Sequence, residues 1–170
     1  MSAAGEAPGS PALLCYDGSD AARRAIERAG RVLGGGPATV LTVWESVGSA
    51  FLRHRPRTAL GRELTAISAD VVGELDSGTA GSAEATAQEG AELATQAGFQ
   101  ATPLARRAIG RAAEREDATV WQAILHAADE QDAKVLVLGT RGRSGVRSLL
   151  MGSVSSGVLH HAQRAVLVVP

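Results

Sequence analysis

Along this chain, short continuous apolar runs alternate with stretches in which apolar residues return every three to four positions, the signature of buried strands alternating with amphipathic helices. The first run, LLCY at residues 13–16, is stopped by DGSD. Ala22, Ala25, Ile26, Ala29 and Leu33 then follow at helical spacing, with Ser19 placed as N-cap and residues 34–36, all glycine, as the stop. ATVLTVW predicts a second strand, because Val40, Leu41, Val43 and Trp44 suit a buried pleated surface, and Gly48 ends it.

The middle of the chain is less regular. FLRHRPR predicts a loop around Pro56, after which Leu60, Leu64, Ile67, Val71 and Leu75 fall on one helical face. DSGTAGS interrupts that pattern before Ala83, Ala87, Ala91 and Ala94 resume it, which predicts two helices or one long helix broken near Gly78. QATPLARR predicts a third strand, placed at a sheet edge by Pro103, which has no N–H to give to a ladder. Trp121, Ile124, Leu125 and Ala128 mark a further helix. KVLVLG is a strand of the fully buried, parallel kind, Val154, Val158 and Ala162 mark a last helix, and AVLVV a last strand. Strands alternating with helices predict an α/β fold with an open parallel sheet, in a single domain over residues 13–170 behind a disordered tail at residues 1–12.

Composition narrows the function classes. A net charge of -1 argues against nucleic acid or an anionic membrane surface as a partner, and the arginines of RRAIGRAAER are matched by nearby acids. The single cysteine, Cys15, lies inside an apolar run and is expected as a buried strand residue, outside any nucleophilic, metal or disulfide chemistry. The N-terminal residues have neither a basic start nor an apolar core, and no apolar run approaches the roughly 20 residues of a membrane span, so a cytoplasmic location is expected. His54, His126, His160 and His161 show no metal-ligand spacing with acids.

The chemistry is concentrated in GTRGRSGVRSLLMGS, which begins at Gly139 at the end of KVLVLG. Ligands of open parallel sheets sit outside the carboxyl ends of the strands, where the strand order reverses. Glycines 139, 142 and 145 let main-chain N–H groups approach an anion with no Cβ in the way. Gly152 and Ser153 stand at the start of the last helix, where unpaired N–H groups and the helix dipole favour phosphate. The segment lacks the Gly-Lys-Ser/Thr of a Walker A loop, and its glycines do not follow the first strand as those of a dinucleotide fingerprint do. In a chain with 20 glycines such spacing would arise by chance in roughly 3 chains in 100, and its position between a strand and a helix lowers that rate further.

Together with CYDGSDAARRAIERA, VLTVWE and RAVLVVP, the pattern Gly139, Gly142, Gly152, Ser153 resembles the universal stress proteins, specifically the ATP-binding branch. The resemblance implies a five-stranded parallel sheet in order 3-2-1-4-5 with helices on both faces, adenine nucleotide between strands one and four, and a homodimer formed through the last strand. It places Asp17 at the nucleoside, the backbone near Val43 at the adenine edge and Gly139 at the ribose. Gly142, Gly152 and Ser153 then meet the phosphates, with Val154 and Ser155 contributing from the first helical turn. On its residues alone, Asp17 fits capping of the turn DGSD as well as it fits ligand contact, and Arg141, Arg143 and Arg147 fit solvated surface positions as well as phosphate neutralisation.

The function expected is an ATP-binding stress-response or regulatory protein, a nucleotide-dependent switch with ATP, and Mg²⁺ bridging the phosphates, as cofactors. The alternatives are a dimeric module for AMP or cyclic AMP, and a slow ATPase. An enzyme of related architecture is disfavoured, since DGSDAA lacks the glycine- and serine-rich loop of the ATP pyrophosphatases, and the single lysine, Lys134, lies at the wrong end of its strand for a phosphoacceptor site. Residues 51–82 and 106–117 exceed a minimal family member and suit either a lid or a partner surface.

Overall fold

The computed structural model describes residues 11–46, 69–108, 120–140 and 151–170. Five strands, β1 (Ala12–Cys15), β2 (Gly36–Trp44), β3 (Phe99–Arg107), β4 (Val135–Gly139) and β5 (Ala165–Val169), form one sheet, all pairs parallel, in the order β3-β2-β1-β4-β5. Among the described residues four helices accompany them: α1 (Asp20–Leu33), α2 (Ala69–Gln96), α3 (Val120–Glu130) and α4 (Ser153–His161). The expected fold class, strand order and edge position of β3 are all found. Ala12, expected in the tail, already pairs with Ala38 and Val135, and the Lys134 N–H donates to the Pro11 carbonyl at 2.8 Å.

The alternation of each strand fixes the two layers. Leu14, Tyr16, Val40 and Val137 point to one face and bury against Ala22, Ala25 and Ile26 of α1 and Ala91 and Ala94 of α2. Leu13, Leu41, Leu136 and Leu138 point to the other, against Ile124, Ala127 and Ala128 of α3 and Val158 of α4. A fully buried Leu or Ile in either cluster contributes about 1.5–3 kcal/mol relative to exposure. α1 begins as expected: the Ser19 hydroxyl oxygen accepts from the Ala22 N–H at 3.2 Å, and Gly34 closes the helix in the left-handed conformation at φ 75°.

The break expected near Gly78 is not there. α2 runs unbroken from Ala69 to Gln96. Each interior glycine costs a helix about 1 kcal/mol relative to alanine, and that local cost is outweighed because Ala83, Ala87, Ala91 and Ala94 pack one face against the sheet. Ser77 and Thr79 donate their hydroxyl protons to the carbonyls of Gly73 and Leu75, both at 2.8 Å, so these polar side chains are accommodated by the helix instead of ending it. Leu75, expected on a buried face, is 48% exposed. Residues 60–67 of the same expected face lie outside the described residues.

Candidate functional site

The strand order reverses between β1 and β4, and at their carboxyl ends lies a cleft of about 640 Å³. It is lined by Asp17, Val43, Gly139 and residues 152–155. The structure thus brings together every site residue singled out from the sequence that falls among the described residues. Gly142, together with Gly145 and the arginines at 141, 143 and 147, lies outside them.

From β1 the chain passes through Tyr16, whose N–H donates to the Leu41 carbonyl at 2.9 Å, into DGSD. Asp17 Oδ1 accepts from the Ser19 N–H at 3.0 Å, so the carboxylate shapes the turn into α1 while it lines the cleft. Both roles open to Asp17 in the sequence, capping and facing a ligand, are therefore sterically compatible. On the other side of the reversal β4 ends at Gly139, where a Cβ would stand 2.9 Å from the Ala21 carbonyl carbon. A side chain there would push β4 away from α1, so this glycine has a packing reason independent of any ligand.

The last helix is anchored at the same point. The Gly152 N–H donates to the Thr140 carbonyl at 2.9 Å, and the Thr140 N–H donates to the Val169 carbonyl at 2.8 Å, which draws together the two ends of the segment connecting β4 and α4. Gly152 is the N-cap, at φ -63° and ψ 155°, with no side chain bonding the helix start. Its carbonyl accepts from the Ser156 N–H at 2.9 Å. The N–H groups of Ser153, Val154 and Ser155 are therefore the orphan donors of the first turn, at the positive end of the helix dipole. Gly152 itself has its N–H engaged. The Ser155 hydroxyl donates to the Gly139 carbonyl at 2.8 Å from a buried position, tying α4 to the end of β4.

Another part of the cleft lining is apolar, built from Leu41, Val43, Leu138, Val120 and Ile124. Cys15 lies along it, and burial together with the neighbouring Asp17 pushes its thiol up to about 12, so it stays protonated. Tyr16 is likewise held neutral, pushed up to about 12 by burial and by its bond to Glu89. The described histidines do not line the cleft, and His54 lies outside the described residues. Nδ1 of His160 and of His161 lies 2.8 and 2.9 Å from the carbonyls of Ser156 and Gly157, which requires a proton on each Nδ1, and His161 stacks on Trp121 at 4.3 Å. His126 pairs with Glu130 at 3.0 Å. Among the described residues no group of three His, Cys, Asp or Glu is arranged to hold a metal, and no helix is long and apolar enough to cross a membrane.

One further wall falls partly within residues 51–82, read from the sequence as suiting either a lid or a partner surface. Thr79, Ser82, Ala83 and Thr86 of α2 line the cleft too. Their spacing of three and four is a helical face, and the signal was present in DSGTAGSAEAT, where it is hidden by residues that also suit a loop.

The chain matches the family model described as universal stress protein family over residues 10–170. It is 53% identical over 38 residues, 22% of the chain, to universal stress protein Sll1388 of Synechocystis, and 43% identical over 47 residues, 28% of the chain, to Slr1101 of the same organism; these matches span 25% and 44% of the relatives' own lengths. Among solved structures, universal stress protein UspA from Lactobacillus plantarum superposes with a TM-score of 0.63 at 18% identity, covering 97% of this chain and 100% of that one. A universal stress protein in complex with cAMP gives 0.53 at 23%, covering 96% and 98%, and one from Archaeoglobus fulgidus in complex with dAMP gives 0.57 at 20%, covering 95% and 98%. At these identities the structural likeness is one of fold.

Proposed function

The chain belongs to the universal stress protein family, and on that premise we propose that it is a regulatory protein that holds ATP in the cleft between β1 and β4 and converts nucleotide occupancy into a change of conformation or partner in a stress response. The observation that carries this reading is the union in one cleft of an apolar part at Val43 and Leu41 with the orphan N–H groups of residues 153–155. An apolar slot suits a purine base, and N–H groups at a helix start suit phosphate. The cleft volume of about 640 Å³ lies within the usual range for a ligand of nucleotide size.

In this reading Val43 offers its backbone to the adenine edge, Asp17 faces the nucleoside, and Gly139 lies against the ribose. The phosphates rest on the N–H groups of Ser153, Val154 and Ser155 and on the Ser153 hydroxyl, with Gly142 completing the loop and Mg²⁺ carried on the phosphate oxygens. The nucleotide is held, not turned over. No Asp, Glu or His occurs between Gly139 and Val158 to orient a water at the phosphate end.

A second reading is favoured by the two fold neighbours solved with cAMP and dAMP, each with a single phosphate: a module for a nucleoside monophosphate. Three successive N–H donors beside a glycine loop suit a longer phosphate chain better. Calorimetric titration of the protein with ATP, GTP, AMP and cAMP separates the two. ATP is expected to bind tightest and GTP weakly. Tighter binding of AMP or cAMP would establish the second reading, and binding of none would overturn both.

A further inference from the structure

The wall that α2 contributes to the cleft differs in chemistry from the rest. At residues 79, 82 and 86 it presents Thr, Ser and Thr, where the same face further along the helix presents Ala87, Ala91 and Ala94, all buried. Thr79 and Thr86 donate their hydroxyl protons into the helix, to the carbonyls of Leu75 at 2.8 Å and Ser82 at 2.9 Å. Each Oγ therefore offers only lone pairs to the cleft. The Ser82 hydroxyl has no protein partner among the described residues and is free to accept or donate. A surface of hydroxyl acceptors is complementary to O–H and N–H donors of a ligand and unsuited to a phosphate, which is itself an acceptor.

This stretch is also held in place at both ends. Three residues before Thr79, Asp76 accepts from the Ser46 hydroxyl at 2.6 Å, just past the end of β2, with Arg107 of β3 3.8 Å away. Three residues after Thr86, Glu89 accepts from the Tyr16 hydroxyl at 2.7 Å and from Arg23 of α1 at 2.7 Å. Next to it, Gly90 packs so closely that a Cβ would come within 2.6 Å of the Tyr16 ring. Clasped to the ends of β1, β2 and β3, the hydroxyl wall is preorganised, which is what selective recognition by a few weak hydrogen bonds requires.

We propose that Thr79, Ser82 and Thr86 form a sugar-reading wall that accepts hydrogen bonds from the ribose hydroxyls of the bound nucleotide, so that the cleft selects ribonucleotides over deoxyribonucleotides. The inference rests on the adenine-nucleotide reading and adds a contact surface to it. The apolar slot is on the side of α3 and the phosphate donors are at α4. α2 packs on the other face, over β2 and β3, and its Glu89 holds Tyr16 next to Asp17, the residue placed at the nucleoside, so its hydroxyls stand on the nucleoside side of the cleft.

The test is calorimetric titration of the full chain with ATP, 2′-deoxy-ATP and 3′-deoxy-ATP. The wild type is expected to prefer ATP over at least one deoxy analogue by about five-fold, the worth of one neutral hydrogen bond. In Ser82→Ala with Thr86→Val, ATP should bind about five-fold more weakly, while the analogue lacking the contacted hydroxyl binds as it does to the wild type. Thr86→Ser, which keeps the hydroxyl, should retain the preference. Equal weakening of ATP and both deoxy analogues, or no change for any of them, would overturn the sugar-reading wall and leave nucleotide binding standing. Failure of the wild type to bind any of the three would instead overturn the nucleotide reading itself. Ser82→Ala alone, which favours the helix, serves if the double variant does not fold.

Discussion

Two glycines of α2 should respond to the same substitution with opposite sign. At Gly78 a Cβ would meet nothing within 4 Å, so Gly78→Ala adds only helix propensity and a less disordered unfolded chain, a gain of about 0.5–1 kcal/mol. At Gly90 the same methyl would stand 2.6 Å from Tyr16 Cδ1 and 2.8 Å from Val40 Cγ1. Neither atom can yield easily, since Tyr16 is 2% exposed with its hydroxyl bound to Glu89, and Val40 lies fully buried in the central part of the sheet. Overpacking of this kind costs about 1–3 kcal/mol, and after the propensity gain the net loss is up to about 2.5 kcal/mol. For a chain of this size each kcal/mol moves the Tm by roughly 2–4 °C. Urea unfolding and thermal melts followed by circular dichroism should therefore place Gly78→Ala above the wild type and Gly90→Ala below it. A rise in both variants would show that α2 is not pressed against Tyr16, and with it the wall placed over the cleft would be wrong.

Ser155→Ala should lose about 1 kcal/mol in the same unfolding assay, because it strands the Gly139 carbonyl without its hydroxyl donor. The Glu89 carboxyl is held below its usual range, first by the Tyr16 hydroxyl and then by Arg23. A depressed folded-state pKa stabilises above the unfolded carboxyl range and is lost as pH falls through the folded value. The stability curves of wild type and Glu89→Gln should therefore differ at neutral pH and converge in acid; a constant gap down to strongly acidic pH would refute the link. β5 has β4 on one side and no described strand on the other, with Val166, Leu167 and Val168 half-buried, so light scattering at micromolar concentration should give the mass of a homodimer. A monomer would refute pairing through that edge.

Much of this fold was legible in the sequence because its strands are apolar runs with little competing pattern: LLC, LTVW, VLVL and VLVV could hardly be exposed loops. The cap at Ser19 and the stop at Gly34 were legible for the same reason, since each residue type suits one local geometry. α2 was not. A glycine in open space and one pressed against a tyrosine look alike in sequence, and only packing separates Gly78 from Gly90. DSGTAGS is polar and glycine-rich enough to suit a loop, so the helical spacing of Thr79, Ser82 and Thr86 carried no weight until the sheet beneath them was placed. The gathering of Asp17, Val43, Gly139 and residues 152–155 into one cleft was legible through strand order, because parallel connections bring all strand ends with their following turns to one rim. The direction of a single hydroxyl was not: Ser155 has the position of a phosphate donor and turns to the Gly139 carbonyl.

The central claim is that the start of α4 receives the phosphates of a bound adenine nucleotide, and Gly152→Asp tests it most directly. Gly152 has the extended backbone of an N-cap, a conformation open to any residue, and aspartate is among the best N-caps, so the variant should fold as well as the wild type or slightly better. Its carboxylate would occupy the first-turn N–H groups and bring a negative charge to where phosphate must sit. Calorimetric titration with ATP should show binding to the wild type and a loss of at least about 100-fold in the variant, equivalent to about 2.7 kcal/mol, with the melting temperature of the nucleotide-free protein unchanged or raised. Equal ATP affinity in the two proteins would contradict the claim.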